Sequence, residues 1–518
     1  MCPVWAHRAQ ITPDLIKMPM QQFVLLPREG LRPTDSASRS ILDSLHAASL
    51  ARPLEVEELP IAHRPNIRIL DTELREGPML LEMEPADAQS INTHSGQFRV
   101  TPVVTFEAPE PVNSPDPSQL GTAAAPTNPP TPFTVQCVET RTRRLLAGVR
   151  VFATGGGVND SGITDGGGRV TLTLAGLRLE RLWAYFYPTH WGAYRTDIPI
   201  QGGAVVPIDI DRVSLPSPDA IGRYYSASVF NSATPVTVGV IDSGVGPHRS
   251  LNVVGGRNVA GESPGDVEDW KGHGTHVAGL IGAVWSRGTG VRGIAPGVPI
   301  RSYRVFGRNK ANTTNYSIMK AMILADIDGC DIINLSLGGG PPDTSVEEAI
   351  LDARQHGMLV VVAAGNNFRR PVSYPAAFPG AIAVSALGVE RCFPSGSCCE
   401  GDIDRPPVPT VALDEFIARF SNFGAAIAVT APGVGLISTL PDNLYPNPPY
   451  GVFSGTSMAA PVVTGAAACL LSRDTQIYNM DRNTQRSTVL ERLVLSSCCK
   501  RGFGLLYEGY GLPDPGLV

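Results

Sequence analysis

The second half of the sequence alternates apolar strand-like runs with helical segments, and this order restricts the fold more than any other feature. From about residue 216 the chain contains VTVGVID, HGTHVAGLIGAVW, IRSYRVF, YSIMKAMILADIDG, DIINLSLG, SVEEAILDARQHG and LVVVAAG. The strand-like runs lack the alternation of apolar and polar residues, which is typical of strands buried on both faces. Interleaved with helices, they predict an α/β domain at residues 216–518, built on a parallel sheet covered on both sides.

The rest of the chain must form further domains, because 518 residues are too many for one ordinary core. Hydrophobic residues at 43% and charged residues at 17% are typical of a globular protein. The net charge of -6, without a dense Lys/Arg cluster, argues against a nucleic-acid partner. The apolar runs are too short or too interrupted for a membrane span, and the N-terminus lacks the apolar core of a secretion signal. These features predict a cytoplasmic protein without a membrane partner, and export by another route stays open.

Changes in composition predict four segments before the α/β domain. Residues 1–19 form an N-terminal extension. Residues 20–108 contain QQFVLLPREGL, GPMLLEMEPADAQSINTHSG and FRVTPVVTFEA, which predict a small α+β domain of strand, strand with short helix, and final strand. Residues 109–133 are rich in Pro, Ser, Thr and Ala and predict an extended linker. Residues 134–212 have short alternating runs separated by Gly turns, which predict a β-sandwich.

That sandwich segment is similar to carboxypeptidase-regulatory-like or transthyretin-like domains in its LLAGVRVFATGGG and GITDGGGRVTLTL stretches. These motifs have low specificity. A binding role and a plain spacer both remain open for it.

Polar side chains follow two of the predicted buried strands. VTVGVIDSG ends in Asp242, and LVVVAAGNN runs into Asn366. The carboxyl ends of parallel strands carry the loops in which chemistry is found, so both residues are candidates. A buried acid needs hydrogen-bond donors, and an amide can donate to an oxygen in a crevice. Taken singly, each also fits a structural role, as a helix cap or an Asx turn.

The stretch VFSGTSMAAPVVTGAAACLL places Ser457 where a Gly-Thr turn passes into an Ala-rich helical run. A serine at the first turn of a helix lies beside free backbone N–H groups and the positive end of the helix dipole. That field favours an oxyanion nearby. A buried, closely packed helix is the alternative explanation for such small residues.

Two histidines three residues apart, His273 and His276, precede the apolar run of DWKGHGTHVAGLIGAVW. A metal pair is the weaker interpretation, because no third ligand follows nearby and HExxH is absent. The nine cysteines include the vicinal pairs Cys398-Cys399 and Cys498-Cys499. Reduced thiols are expected, while a disulfide between the pairs and a thiolate metal site stay open.

In the order Asp242, His273, Asn366 and Ser457, the motifs VIDSG, GHGTHVAG, AAGNN and SGTSMAAP resemble the subtilisin-like serine proteases. The resemblance covers about residues 225 to 515 and includes INLSLGGG, TAPGVGLIST and GYGLPD. It implies that Ser457 is a nucleophile, that His273 is its base and that Asp242 orients the base. The Ser457 N–H and the Asn366 amide would hold the oxyanion. No cofactor is required, and a structural calcium site, frequent in the family, is not readable here.

The resemblance also implies a cleft in which a protein or peptide substrate lies extended. One wall would be Ser336 to Gly339 and the other the segment from Phe306 to Arg308. A specificity pocket would be lined by Leu337, Gly338, Ala364, Gly365 and Ser373, and Tyr316 would lie at a more remote apolar pocket. Since Ser373 carries no charge, a preference for apolar or medium-sized residues is expected.

Residues 20–108 weakly resemble the family's propeptide, with RVTPVVTFEAPEP as the tail that enters the cleft. The N-terminal domain would then be a partner of the protease, and self-cleavage near residues 106 to 112 would leave the sandwich attached. The Cys- and Pro-rich insertion at 391–415 is expected to shape substrate access or to bind a partner. A catalytically silent scaffold that binds peptides, and a metal-dependent hydrolase using His273, His276 and cysteines, are the alternative functions.

Overall fold

The computed structural model describes residues 19–51, 67–74, 77–108, 129–186, 188–215, 220–225, 233–285, 290–404 and 413–517. The chain divides into two compact units, one up to Val103 and one from Val104 onward. The proposed N-terminal extension and most of the linker at 109–133 lie outside the described residues.

The first unit is a four-stranded antiparallel sheet with two helices. Its elements are β1 (Gln21–Pro27), α1 (Ser36–Ala51), β2 (Arg68–Asp71), β3 (Met79–Met83), α2 (Pro85–His94) and β4 (Phe98–Pro102). The strand order is β2-β3-β1-β4. Alternate side chains such as Phe23, Leu25 and Leu81 pack into one core. The sequence predicted β1, β3, α2 and β4 but not α1 or β2.

The second unit begins with a short strand, β5 (Thr105–Glu107), which does not continue β4. The predicted tail RVTPVVTFEAPEP is therefore not one strand. Its first part belongs to the sheet of the first unit, and its second part belongs to the second unit.

Two sheets with a common core follow, and we call residues 130–210 the two-sheet region. Its strands are β6 (Pro130–Glu139), β7 (Arg150–Gly155), β8 (Val158–Ile163), β9 (Arg169–Ala175), β10 (Arg178–Tyr185), β11 (Ala193–Pro199) and β12 (Val205–Ile210). One sheet has the order β11-β10-β7-β8 and the other β12-β6-β9. Phe133 and Leu172 from one sheet and Val151 and Leu182 from the other lie in a single buried cluster. The five expected strand segments are present, and β8 and β11 were not expected.

The remaining residues form an α/β domain around a large sheet. Its strands are β13 (Val238–Asp242), β14 (Val253–Asn258), β15 (Ile300–Arg304), β16 (Asn312–Thr314), β17 (Ile332–Leu335), β18 (Leu359–Ala363), β19 (Ala381–Val389), β20 (Ile403–Asp404), β21 (Glu415–Ala418), β22 (Ile427–Pro432), β23 (Leu436–Thr439), β24 (Tyr450–Phe453), β25 (Cys498–Cys499) and β26 (Leu512–Pro513). Its helices are α3 (Ala220–Tyr224), α4 (His273–Gly282), α5 (Asn315–Ile327), α6 (Thr344–Gln355), α7 (Thr456–Arg473), α8 (Thr475–Tyr478), α9 (Thr484–Ser496) and α10 (Leu505–Glu508).

The order of the large sheet is β14-β15-β13-β17-β18-β19-β21-β20, and β22 also pairs with β19. From β14 to β19 and at β22 the pairs are parallel, as expected for unalternating apolar strands. The pairs β19-β21 and β20-β21 are antiparallel, so the sheet is mixed rather than wholly parallel. Every residue of β13, β17 and β18 is buried. Because these neighbouring strands are parallel, their carboxyl ends lie at the same edge of the sheet.

The Cys-rich insertion forms two short 3₁₀ turns, Glu390–Cys392 and Cys398–Asp402, and contacts the two-sheet region. Cys398 N donates to Gly192 O at 2.8 Å, and Tyr194 N donates to Gly396 O at 2.7 Å. The insertion thus joins the two-sheet region to the α/β domain through backbone hydrogen bonds.

Neither vicinal cysteine pair forms a disulfide. Among the helices in the described ranges, none has both the length and the apolar character that crossing a bilayer requires.

Candidate active site

Asp242 ends the central strand β13 with its side chain fully buried. One carboxylate oxygen, Oδ1, accepts hydrogen bonds from Ser243 N at 2.7 Å and from His273 Nδ1 at 2.8 Å. A carboxylate at Nδ1 fixes the imidazole tautomer, so the lone pair of Nε2 faces away from Asp242. The predicted contact between Asp242 and His273 is therefore present.

The start of helix α4 places His273 beside Asp242. Gly272 has a left-handed φ of 89°, which a glycine adopts without strain, and His273 is the first helical residue. The buried carboxylate of Asp269 accepts hydrogen bonds from Gly272 N and Thr275 N and from Ser243 Oγ. Burial raises the pKa of Asp269, and the hydrogen bonds from Thr275 oppose that shift. Asp269 therefore ties the start of α4 to the end of β13.

Ser457 is the second residue of helix α7, directly after the Gly455-Thr456 turn. Pro461 has no N–H, so the Ser457 carbonyl lacks the usual donor four residues on. Ser336 Oγ supplies it, donating to Ser457 O at 2.9 Å. The predicted wall residue Ser336 thus anchors the helix that carries Ser457.

The Ser457 hydroxyl donates to Ser336 O at 3.3 Å, and His273 Nε2 has no hydrogen-bond partner within the described residues. The hydroxyl is therefore not hydrogen-bonded to the imidazole. Hydrogen bonds between a nucleophile and its base are often loose before substrate binds, and rotation about one side-chain bond redirects a serine hydroxyl.

Asn366 lies three residues after Ala363, the last residue of β18, and is hydrogen-bonded to Thr456. Its Oδ1 accepts from Thr456 N and from Thr456 Oγ1, both at 2.9 Å. Gly365 N donates in turn to Thr456 Oγ1 at 3.0 Å. Both of these bonds use Oδ1, so they leave the Nδ2 donor of Asn366 unused. The sequence did not predict this role for Thr456, although it lies within the quoted SGTSMAAP motif.

His276, the second histidine of the motif, is a packing residue. Its Nε2 donates to Leu436 O and Gly451 O, each at 3.1 Å, which ties α4 to β23 and to β24. Its ring stacks on Phe453 with the ring centroids 4.3 Å apart. Burial, with a smaller contribution from the nearby His273, lowers the pKa of His276 to about 3, so the ring is neutral.

The predicted specificity pocket is brought together around Gly365. Ser373 N donates to Ala364 O at 2.9 Å, and a Cβ on Gly365 would lie 2.4 Å from Ser373 Oγ. Gly338 faces the same segment, since a Cβ there would lie 3.8 Å from Ser373 Cβ. Leu337 is buried beside it.

The sequence did not identify Asn422, which holds this pocket together. Asn422 Nδ2 lies 2.8 Å from Ser373 Oγ and 3.2 Å from Ala364 O, and Asn422 Oδ1 accepts from Asn367 N at 2.8 Å. Asn422 belongs to the FSNFG stretch, whose small polar residues between β21 and β22 are the available signal.

Strand β5 lies between β16 and the segment Ser336 to Gly339, which was predicted as a wall of the substrate cleft. It pairs antiparallel with β16, and Glu107 forms a bridge with Gly338. The Glu107 side chain also reaches Gly339, where a Cβ would lie 3.3 Å from Glu107 Oε2. Phe106 is fully buried over Gly340, where a Cβ would come within 2.3 Å of the ring. A side chain at position 340 would therefore exclude Phe106.

Across β5 from Gly338 lies β16 (Asn312–Thr314), whereas Phe306 to Arg308, the predicted second wall, lie in the loop after β15. Tyr316 is buried in α5, directly after Asn315, whose N donates to Val104 O at 3.0 Å.

Within the described part of the chain, no three His, Cys, Asp or Glu side chains group as metal ligands. His273 and His276 also face different partners, so the sequence-level metal pair is not assembled.

Comparison with known proteins identifies the class to which this fold and site belong. The sequence model described as "Subtilase family" matches residues 233–508, and the chain therefore belongs to that family. It is a subtilisin-like serine endopeptidase, as the four motifs predicted.

Individual proteases are also similar in sequence to this chain. Subtilisin Savinase from Lederbergia lenta is 33% identical over 287 residues, which are 54% of this chain and 92% of that protein. Subtilisin DY from Bacillus licheniformis is 38% identical over 245 residues, 46% of this chain and 77% of the relative. The alkaline protease of Shouchella clausii is 33% identical over 54% of this chain, and the match spans 65% of its length.

Proposed function

We propose that Asp242, His273 and Ser457 form the catalytic triad of an endopeptidase that is made in a self-inhibited form. The observation that carries the catalytic part is the 2.8 Å contact of His273 Nδ1 with buried Asp242 at the end of β13. Ser457 is hydrogen-bonded to Ser336, which directly follows the neighbouring parallel strand β17. His273 Nε2 takes the proton from Ser457 Oγ while that oxygen attacks the peptide carbonyl. Asp242 keeps the tautomer and stabilises the imidazolium without taking the proton.

The oxyanion that forms on the carbonyl is held by Ser457 N, at the start of α7, and by Asn366 Nδ2. The C–N bond then breaks, and the imidazolium gives its proton to the leaving amine. Water, deprotonated by His273, attacks the acyl-enzyme and releases the carboxylate. No cofactor is needed for these steps.

The inhibitory part of the proposal rests on strand β5. Residues 105–107 pair with β16 on one side and meet Gly338 on the other, as an extended substrate would. Residues 20–108 would then act as an inhibitory propeptide, and self-cleavage would fall shortly after Ala108. The linker at 109–133 is long enough to let the chain enter the cleft, at roughly 3 Å per extended residue.

We further propose that residues 134–212 are a β-sandwich domain that stays with the protease after processing. The support is its common core and its backbone hydrogen bonds to the insertion. A plain spacer would not need the bonds of Gly192 and Tyr194 to residues 396–398.

Incubating the wild type beside Ser457→Ala and determining the N-termini of the fragments tests self-processing. We expect a new N-terminus in residues 109–112 from the wild type only. The same fragment from both proteins would attribute the cut to another protease. Fluorophosphonate labelling of Ser457, insensitive to chelator, tests the triad; absence of labelling in the processed protein would favour the catalytically silent scaffold.

A further inference from the structure

A network of buried hydrogen bonds joins helix α7 to the end of strand β17. Thr464 Oγ1 donates to Asn334 Oδ1, and Asn334 Nδ2 donates to Ser336 Oγ, both at 2.9 Å. Ser336 Oγ in turn donates to Ser457 O at 2.9 Å. We call Thr464, Asn334 and Ser336 the anchor network. All three residues are fully buried, so solvent does not compete for these bonds.

The positions of these residues along the chain explain why they meet. Asn334 lies in β17 and Ser336 directly follows that strand, and side chains two positions apart on an extended backbone point to the same face. Thr464 lies about two turns after Ser457 in α7, on the same side of the helix. The network therefore holds α7 against the sheet at two points, which fixes both the position of the helix and its rotation about its own axis.

The amide of Asn334 sets the direction of the hydrogen bonds, because its acceptor oxygen and its donor nitrogen occupy fixed places. While Oδ1 accepts from Thr464, Nδ2 faces Ser336 Oγ, and the single proton of Ser336 is left for Ser457 O. Without the Thr464 hydroxyl, the amide would be free to turn over about its last side-chain bond. Oδ1 would then take the proton of Ser336, and Ser457 O would lose its donor.

Thr464 Oγ1 also lies 3.1 Å from Ala460 O. That carbonyl is four residues earlier in α7, so the backbone N–H of Thr464 is its ordinary helical donor. The shorter contact, to Asn334 Oδ1, is the one that depends on the hydroxyl.

Ser457 O needs the donor from Ser336 because Pro461, four residues on, has no N–H. The backbone carbonyl of Ser336 also accepts from the Ser457 hydroxyl at 3.3 Å. Ser336 thus contacts both the carbonyl and the hydroxyl of the proposed nucleophile. A displaced Ser336 side chain would shift the first turn of α7, which also carries the N–H proposed to hold the oxyanion.

We propose that Thr464 and Asn334 are positioning residues for Ser457. They act through Ser336 and do not touch the substrate. The inference rests on the proposed function of Ser457 and extends it to two residues in the interior of the α/β domain.

The variant Thr464→Val keeps the shape of the side chain and removes its hydroxyl, whereas Thr464→Ser keeps the hydroxyl. Each full-length protein is left to process itself under the same conditions. Fluorophosphonate titration then counts the reactive Ser457, so that kcat for a peptide substrate is expressed per reactive molecule. We expect Thr464→Val to lower kcat about ten-fold with KM unchanged, because misplaced reacting groups slow the chemical step and not binding. Thr464→Ser should stay within about two-fold of the wild-type kcat.

Thr430→Val is the matched control. It removes another fully buried threonine hydroxyl, which donates to Ser385 O at 3.4 Å and lies outside the anchor network. We expect this variant to keep the wild-type kcat. An unchanged kcat in Thr464→Val, or the same loss in both valine variants, would overturn the positioning role. A wild-type protein that neither labels nor hydrolyses peptide would instead overturn the proposed function, and the positioning role with it.

Discussion

The catalytic edge of the large sheet and the core of the two-sheet region hold their side chains by different means. At the edge, Asp242, Asp269 and Asn366 are buried or half-buried polar groups fixed by several hydrogen bonds each. In the two-sheet core, residues such as Val151 and Leu182 are held by apolar contact alone. A polar network fixes geometry and is sensitive to the loss of one atom, whereas an apolar core depends on filled volume.

The largest effect that separates the two regions is expected for Ser457→Ala. Removing the proposed nucleophile should lower kcat by roughly 10⁶-fold while leaving the free energy of unfolding within about 0.5 kcal/mol of wild type. Peptide hydrolysis and urea unfolding measure the two quantities. A large loss of stability would mean that the hydroxyl bond to Ser336 O is structural, and it would weaken the distinction between the regions.

The second effect concerns Asn366, the proposed oxyanion donor. Asn366→Asp keeps the oxygen that Thr456 binds but removes the Nδ2 donor, so we expect a loss of roughly 10² to 10³-fold in kcat with little change in KM. Asn366→Ala, which also releases Thr456, serves as the comparison. If only the alanine variant lost activity, the residue would act by holding Thr456 and not by donating to substrate.

The third prediction is a substitution in the core of the two-sheet region. Leu182→Ala removes a fully buried side chain, and we expect it to lower the free energy of unfolding by roughly 2–5 kcal/mol through the cavity it leaves. The rate of fluorophosphonate labelling at Ser457 should not change. A slower labelling rate in the folded variant would show that the two regions are coupled mechanically.

His276 shares features of both regions, since it belongs to the GHGTHVAG motif but packs as a core residue. Its folded pKa of about 3 lies below the usual value near 6.5, so protons favour the unfolded chain. The stability that the folded protein gains by keeping His276 neutral is fully present above pH 6.5. It is lost as pH falls toward 3, at about 1.4 kcal/mol of unfolding free energy per pH unit.

His276→Gln should flatten that slope. Glutamine retains an N–H that can reach the two carbonyls but does not titrate. Urea midpoints of both proteins between pH 7 and pH 4 provide the measurement. Parallel curves would show that His276 is protonated in the folded protein.

The sequence predicted the elements with a strong apolar pattern and failed where the signal was local or weak. The unalternating runs identified β13 and β18, and the polar residues after them identified Asp242 and Asn366. Strand β8, VNDSGI, was missed because none of its side chains is buried. Helix α1 was also missed, although the sequence contains a capping residue at its start: Asp35 Oδ1 accepts a hydrogen bond from Ser38 N at 2.7 Å.

Contacts between distant residues could not be predicted in the same way. Thr456 and Asn366 are 90 positions apart, and Asn422 and Ser373 are 49 apart. Nothing in either local sequence specifies the partner, because the pairing depends on how the strands are ordered. The pairing of β16 with β5 was not predicted for the same reason, since the two strands lie far apart in the sequence.

The two hydrogen bonds between Thr456 and Asn366 Oδ1 have a consequence for how this enzyme loses activity. Thr456, the neighbour of the proposed nucleophile Ser457, also holds the amide of Asn366 that we propose as the oxyanion donor, so one displacement at the start of α7 would misalign both groups together. Under heat or denaturant, turnover should therefore vanish in one step, with no population of molecules that still acylate but do so slowly.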